Sequence, residues 1–539
     1  MKLDPETIDV SIQELEVLVD GARHQPLSVD DHRKLRGVVE TLGEMARLLA
    51  DKDATLRQLR QMLLKPATTE KTRVVLERAG VKPEPGEPAQ PKKKRKGHGR
   101  KPASAFEGAE KVNVAHPTLK QGDSCPECLK GKVYPPAQEF KAHLKEPAVR
   151  VRIVGQAPVA ATVYKLERLR CNLCQEVYEA PPPAGMGEDK RDVTAASMVA
   201  LLKYGSGVPF YRLEGLEAHL GIPLPRSTQW DMVAQAAKPL VAVYEELIRQ
   251  AAQGEVLYND DTAVRILALQ RETAADRTGV FTTGIVAVAA GHRMALFFSG
   301  DKHAGENLAD VLKRRAADLP PPIQMCDALS RNAPKLVPER EPLMGNCLAH
   351  LRRNFVEVAN NFAPQCRYVL ETLGEVYGND EAAREQAMTA EARLAHHQAR
   401  SGPLMEQLHQ WGQRQLDEHI VEPNSGLGKA IRYLLKHWPK LTLFLRQPGA
   451  PLDSNIVERA LKKAILNRKN GLFYKTRNGA QVGDLYMSLI HTCELCGGNP
   501  FDYLTELQKH PAEIGQNPAA WMPWNYRATL EQAELAKAA

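Results

Sequence analysis

No stretch of this chain approaches the ~20 consecutive apolar residues that a membrane-spanning helix needs. Its first ten residues, MKLDPETIDV, lack the basic and apolar regions of a secretory signal. Cysteine is sparse, nine in 539 residues, and four of the nine stand in two tight pairs within fifty residues of one another, a third pair, Cys493 and Cys496, lying far off. That pattern argues against a disulfide framework and suits metal ligation in a reducing compartment. No charge sign dominates, the formal net charge being +7. What remains is the profile of a globular protein, 43% hydrophobic and 25% charged. A cytoplasmic, multidomain chain with no membrane partner is expected, of about three or four domains by length.

The modest net charge conceals local blocks. Lys92, Lys93, Lys94, Arg95 and Lys96 follow Pro91, with Arg100 and Lys101 just beyond. Arg468 and Lys469, then Lys475 and Arg477, form a second block. Such blocks suit a polyanion, since neutralising phosphates releases counterions. A solvated linker and a solvated helix face are the plainer alternatives. The Lys/Arg run also resembles a nuclear import signal, and a basic DNA-binding linker explains it equally well.

Residues 1–64 read as a helical region. Ser28 and Asp31 make a capping box for a helix over 28–64. Leu35, Val38, Leu42, Met45, Leu49, Leu56, Leu59 and Leu63 then recur in alternating three- and four-residue steps, interrupted by Lys52. A coiled coil fits this repeat, and so does a helix packed on its own protein. Residues 65–105 collect six prolines with the basic run and read as a linker.

Residues 106–182 hold Cys125-Pro-Glu-Cys128 and Cys171-Asn-Leu-Cys174. Two such thiolate turns close a tetrahedral, structural zinc site, and the strand-like sequence between them fits a zinc ribbon. Two unrelated pairs of reduced cysteines are the alternative. Cys493 and Cys496 have no partner pair and sit in an apolar helical stretch, where they read as core. Residues 183–252 are helical. A short helix, a Gly-Ile-Pro-Leu-Pro turn and a second helix capped at Ser227 or Thr228 form either a helix–turn–helix reader of DNA or a helical connector.

From residue 253 the pattern turns to strands: Glu255–Leu269, then Val280–Ala290 and His292–Gly300 as a hairpin turning at Gly291. A helix over His303–Ala316, a strand over Ile323–Leu329 and a helix over Asn346–Asn360 follow. Asp260 and Asp327 lie in the apolar, strand-like stretches, and Glu458 on the first turn of a basic helix. Desolvating a carboxylate is expensive unless a cation compensates it, and divalent metal is the obvious compensation. Two metals held by acids can activate a hydroxyl and stabilise the leaving oxygen of a phosphodiester. The order of elements fits a multidomain α+β chain with an RNase-H-like α/β core. That core would run over 253–354, be interrupted by an all-helical insertion at 355–450, and resume at 451–490 before a helical tail at 491–539.

Several segments together carry a specific resemblance. NDDTAVRIL, KYGSGVPFYRLEGLEAHLGIPLPRST, NCLAHLRRNF, NIVERALKKAILNRKNGLF and TCELCGGNPFDYL look like the blocks of the insertion-sequence-66 transposase family, in that order. The paired cysteines and Gly97–Pro102 are similar to its zinc-binding region and the linker before it. The resemblance implies an acid-triad (DDE) transposase with Asp260, Asp327 and Glu458 on two Mg2+ (or Mn2+) ions. Where the family has Asp-Glu-Thr this chain has Asp260-Asp261-Thr262, and either aspartate could face the metal, Asp260 by alignment. Arg459, Lys463, Arg468 and Lys469 would hold phosphates near Glu458, while His350 would touch the scissile strand or serve as a core residue.

The implied reaction is cleavage at insertion-sequence ends, then attack of the exposed 3′-hydroxyl on target DNA. No nucleophilic serine, tyrosine or cysteine is needed. Partners would be terminal inverted repeats, target DNA, a second copy of the chain, and accessory proteins encoded by the element. A nuclease of the same fold and a non-catalytic zinc-ribbon regulator are the rivals.

Overall fold

A computed structural model describes residues 189–271 and 279–538 continuously, and shorter pieces before them that include 26–32, 72–78, 117–134, 157–170 and 177–184. The chain divides into two compact units, residues 1–83 with 345–453 and residues 84–344 with 454–539.

The second unit is built on a mixed five-stranded sheet. A separate two-stranded ribbon precedes it in the chain, β1 (Arg168–Arg170) and β2 (Val177–Glu179), which pair antiparallel. The main sheet comprises β3 (Val256–Ala263), β4 (Phe281–Ala289), β5 (His292–Gly300), β6 (Ile323–Cys326) and β7 (Leu343–Asn346), in the order β5-β4-β3-β6-β7. β4 runs antiparallel to both β3 and β5, and β6 lies parallel to β3. The hairpin expected at Gly291 is present, with Ala290 and Gly291 both at positive φ (49° and 80°). A two-residue loop needs that conformation to match the strand twist. The first expected strand is shorter than its apolar run, since Leu267–Arg271 is helical. β7 was not legible: four residues, two of them Gly and Asn, carry no alternating pattern.

Helices cover both faces and one edge of the sheet. Facing pairs across an antiparallel ladder share a side, so Asp261 lies with Thr283 and Asp260 with Gly284. The Ala304–Leu312 helix packs on the Asp261 side, where Asn307 Nδ2 donates to Thr283 Oγ1 at 2.8 Å. The Asn455–Gly471 helix packs on the Asp260 side. There a β-carbon at Gly284 would come within 3.0 Å of the Leu461 side chain and 3.5 Å of Val457. Gly284 is therefore what lets this helix approach.

The edge is closed by side chains. The Arg477–Leu495 helix presents Asp484, Ser488 and Thr492 at four-residue steps, a rise of ~6 Å each. Every second residue of β5 advances ~6.7 Å, so the two spacings match. Ser299 N–H donates to Asp484 Oδ2 at 2.7 Å, Phe297 N–H to Ser488 Oγ at 2.9 Å, and Ala295 N–H to Thr492 Oγ1 at 3.0 Å. An open edge would otherwise offer those donors to another strand.

The Arg226–Ala251 helix runs through the core, burying Val233, Leu240, Val243 and Leu247. It starts one residue before the expected cap. Pro225 is the N-cap residue, its fixed φ entering the helix directly, and neither Ser227 nor Thr228 caps it. Cys493 is fully buried and its thiol is pushed up to about 12 by burial, as a core residue's would be.

The first unit is helical, with Leu348–Val358, Ala363–Glu385, Ala390–Arg400, Gly402–Asp417 and Gly426–Lys436. Ala390–Arg400 and Gly402–Asp417 are separated at Ser401. Buried Asp380 joins two of its helices, with Arg393 Nη2 at 2.6 Å and His397 Nε2 at 3.2 Å. Burial opposes its ionisation, yet those two partners hold the carboxyl below its usual range. The stretch read as linker contains a helix, Thr72–Arg78, whose Val75 and Leu76 are buried against Ala363–Glu385. Three successive apolar residues, Val74, Val75 and Leu76, explain it. Ser28 caps its helix as expected, accepting from Asp31 N–H at 3.1 Å. Most of the heptad positions, Val38 to Leu63, lie outside the described residues. Among the described residues no helix is long and apolar enough to cross a membrane.

Candidate active site

Strand register brings the first two acids together. Tyr258 pairs with Met325 across the parallel β3–β6 ladder. Two residues further along each chain stand Asp260 and Asp327, at the same level and on the same side. Adjacent strands are ~4.8 Å apart, so the carboxylates neighbour one another. Asp327 sits one residue past the end of β6, not inside the strand as the apolar run suggested. The chain turns there through Ser330–Asn332, and Leu329 N–H donates to Asp327 Oδ1 at 3.1 Å.

Asn332 closes the pair. Fully buried, it donates from Nδ2 to Asp327 Oδ1 at 2.5 Å, and the same nitrogen lies 3.5 Å from Asp260 Oδ1. Its own carbonyl oxygen accepts from Asn259 Nδ2 at 2.8 Å and Gln324 Nε2 at 2.7 Å, so both strands fix its position.

Glu458 arrives from above, on the first turn of the helix that Gly284 admits. Its charge is felt at Asp260. Burial pushes the Asp260 carboxyl up to about 6; the Asp261 N–H opposes this, and the charges of Asp327, Asp261 and Glu458 add to it. Asp260 thus lies among like charges, three residues before the end of β3, with Asp327 just past β6.

Asp261 faces the other way. Its side chain is enclosed, with Arg331 Nη2 3.0 Å and His303 Nδ1 3.3 Å from its oxygens. Arg331 also lies over the Phe281 ring, 5.6 Å from its centre. Of the two adjacent aspartates, Asp260 is the one grouped with Asp327 and Glu458. Asn332, Gly284, Arg331 and His303 carried no sequence signal: each matters only through partners far off in the chain.

Three carboxylates with no thiolate among them are a donor set for a hard divalent cation. As the side chains stand, no three His, Cys, Asp or Glu among the described residues converge closely enough to hold a metal ion. The donor chemistry fits; a closed cage is not preassembled.

The basic residues divide. Arg468 Nη1 donates to Thr262 Oγ1 at 3.1 Å and to the Ala263 carbonyl, tying its helix to β3. Lys463 Nζ donates to Glu494 Oε1 at 2.8 Å and to Gly205 O at 3.2 Å. Both are engaged inside the protein, whereas Arg459 and Lys469 are exposed. Lys92 to Lys96 and Arg100 lie outside the described residues. His350 belongs to the first unit, on Leu348–Val358.

Cys125 and Cys128 stand on a tight turn. Cys125 N–H donates to Gly131 O at 2.7 Å, Leu129 N–H to Cys125 O at 2.9 Å, and Gly131 N–H points at Cys128 Sγ, 3.4 Å away. That last N–H, with those of Lys130 and the Cys125 thiol, lowers the Cys128 pKa. Cys171 and Cys174 lie outside the described residues, between β1 and β2 in the chain.

Comparison with known sequences shows the family. The family described as "Transposase IS66 family" matches residues 192–482, just over half of the chain. The uncharacterized protein y4jD of Sinorhizobium fredii is 30% identical over 382 residues, covering 67% of this chain and 71% of its own. The uncharacterized proteins y4hP and y4qI of the same organism are 26% and 25% identical, over 67% and 61% of this chain and the same shares of theirs.

Proposed function

The chain belongs to the IS66 transposase family, and from that premise we propose that it cuts DNA at insertion-sequence ends and joins the exposed 3′-hydroxyl to target DNA. What supports the proposal is that Asn332 Nδ2 reaches both Asp260 and Asp327, while Glu458 stands on the first turn of a helix packed against the strand of Asp260. The order β5-β4-β3-β6-β7, with β6 parallel to β3, supports an RNase-H-like reading of the fold.

Asp260, Asp327 and Glu458 would hold the divalent ions, Mg2+ or Mn2+, which when bound activate the attacking hydroxyl and offset charge on the leaving oxygen. The protein's own part is positioning. Asn332 fixes Asp327 through its amide, which donates to Asp327 Oδ1. Gly284 sets the height of the Glu458 helix. Arg331 and His303 balance Asp261 and keep it turned from the site. Exposed Arg459 and Lys469 are placed to contact phosphates without reading sequence. Cys125 and Cys128, joined by Cys171 and Cys174, would bind structural zinc, since four thiolates leave no open position. Bringing two DNA ends together requires at least two copies of the chain, with element-encoded accessory proteins as further partners.

The test is a labelled duplex bearing the element's terminal repeat, incubated with the full chain and Mg2+ or Mn2+, intact or pre-cleaved. Cleavage and joining are expected from the wild type. Asp327→Asn and Glu458→Gln should bind the duplex and do neither. Cleavage without joining of pre-cleaved ends would make the protein a nuclease. Binding with neither reaction would make it a DNA-binding regulator.

A further inference from the structure

The turn between the Glu458 helix and the Arg477–Leu495 helix carries an exposed apolar pair in an unfavourable backbone. Leu472 is 62% exposed and Phe473 46%. Leu472 has φ 66° and ψ −46°, a region that branched side chains rarely enter. A helix commonly ends on a glycine in the left-handed region. Here Gly471 stands one position early, and Leu472 takes positive φ as the centre of a γ-turn, closed by Phe473 N–H on Gly471 O.

The strain is held from both sides. Leu472 N–H donates to Arg468 O at 2.9 Å and Phe473 N–H to Gly471 O at 2.8 Å. Tyr474 N–H donates to Arg265 O at 2.8 Å, and Leu267 N–H returns to Tyr474 O at 2.9 Å. The Tyr474 ring rests on Gly483, where a β-carbon would come within 2.7 Å of its hydroxyl. Arg468 adds its tie to Thr262 and Ala263. The tip is therefore locked to β3, the strand of Asp260.

We propose that Leu472 and Phe473 form a wedge that enters the base stack of duplex DNA beside the cleavage site. The proposal rests on the transposase reading above. Charge complementarity identifies the occupant: exposed Lys469, Lys475 and Arg477 flank the pair in sequence, cations for phosphates beside apolar side chains for bases. Proteins that insert Leu or Phe between base steps use this combination to unstack and kink a duplex. The anchor points also suit the scale. Thr262 and Ala263 are two and three residues from Asp260, ~7–10 Å along the strand, about two or three base-pair steps at ~3.4 Å each. Unpairing there would free the terminal strand to reach the acids.

The experiment uses the full chain and the terminal-repeat duplex, with 2-aminopurine placed at successive steps around the cleaved bond. Binding is read by anisotropy, unstacking by fluorescence, and cleavage on both the paired duplex and one mismatched at those steps. Two variants are compared: Leu472→Ala with Phe473→Ala, and Leu472→Gly, whose residue suits the left-handed backbone and protects the fold. Wild type should brighten one or two 2-aminopurine positions. The double variant should bind without brightening and lose roughly tenfold or more in cleavage of paired ends, and mismatches should restore it. Leu472→Gly should fall between.

Unchanged cleavage of paired ends by the double variant, or equal loss on paired and mismatched ends, overturns the wedge and makes the tip a protein-facing or structural surface. If wild type cleaves neither duplex, the transposase reading itself fails and takes the wedge with it.

Discussion

Asp484 should make this protein less stable as pH rises from about 4 to about 7. The residue lies on the Arg477–Leu495 helix, buried, accepting Ser299 N–H and Ser299 Oγ–H at 2.7 Å each. Burial pushes its carboxyl up to about 7, against the two Ser299 hydrogen bonds that favour the ionised form. An unfolded aspartate titrates near 3.9. The folded state therefore holds a proton that the unfolded state releases between those values. Stability from this group is complete below about pH 4 and is lost as pH climbs through about 7; above that the loss is constant. Three pH units correspond to about 4 kcal/mol, an upper figure that other carboxylates with lowered pKa values offset.

The perturbation is Asp484→Asn. An asparagine oxygen still accepts from Ser299 N–H, and its amide donates to Ser299 Oγ, whose proton can then go to Thr282 Oγ1, 2.7 Å away. Geometry and satisfaction are kept while the charge is removed. Unfolding midpoints in denaturant, measured for both proteins at half-unit steps from pH 4 to pH 8, should diverge steadily and then run parallel. The variant should be the more stable at neutral pH, and exchange of the Ser299 amide should slow in step. A constant offset between the two proteins across the range would refute the argument, because it would mean Asp484 titrates alike in the folded and unfolded chains.

Gly284→Ala should push the Glu458 helix away by a few tenths of an ångström and cost about 1–3 kcal/mol. Leu461→Ala in the same chain should restore part of the lost cleavage, and no restoration in a cleavage assay would separate Gly284 from the helix. Asn332→Ala should lower cleavage by about 10- to 100-fold with DNA binding intact, since only the amide on Asp327 is lost and the Asn332 carbonyl contacts remain; a normal rate would remove Asn332 from the site. Cys128→Ser and Cys171→Ser should each reduce bound zinc from one equivalent to none by elemental analysis, and zinc retained in either would dissociate the two pairs.

The elements and residues legible from sequence were those whose meaning is local. Periodicity located β4, β5 and their turn because apolar alternation and a positive-φ glycine are properties of neighbouring residues. The helical character of the segment that holds Arg226–Ala251 was readable for the same reason, and Asp260 and Asp327 could be singled out because a carboxylate in an apolar run is anomalous wherever it falls. Asp260 and Asp261 could not be separated that way: alternation says only that they face opposite sides. The distinction came from Gly284, which meets Asp260 through sheet register, and from Arg331 and His303, which reach Asp261 from outside the sheet and from far along the chain. The same limit applied to Arg468, which looks like a phosphate ligand in its basic run yet spends its guanidinium on Thr262 and Ala263. A charged side chain's role is set by the nearest acceptor in space. In a fold where one helix is seated by a missing β-carbon on a distant strand, that acceptor is a consequence of packing, and no window of sequence contains it.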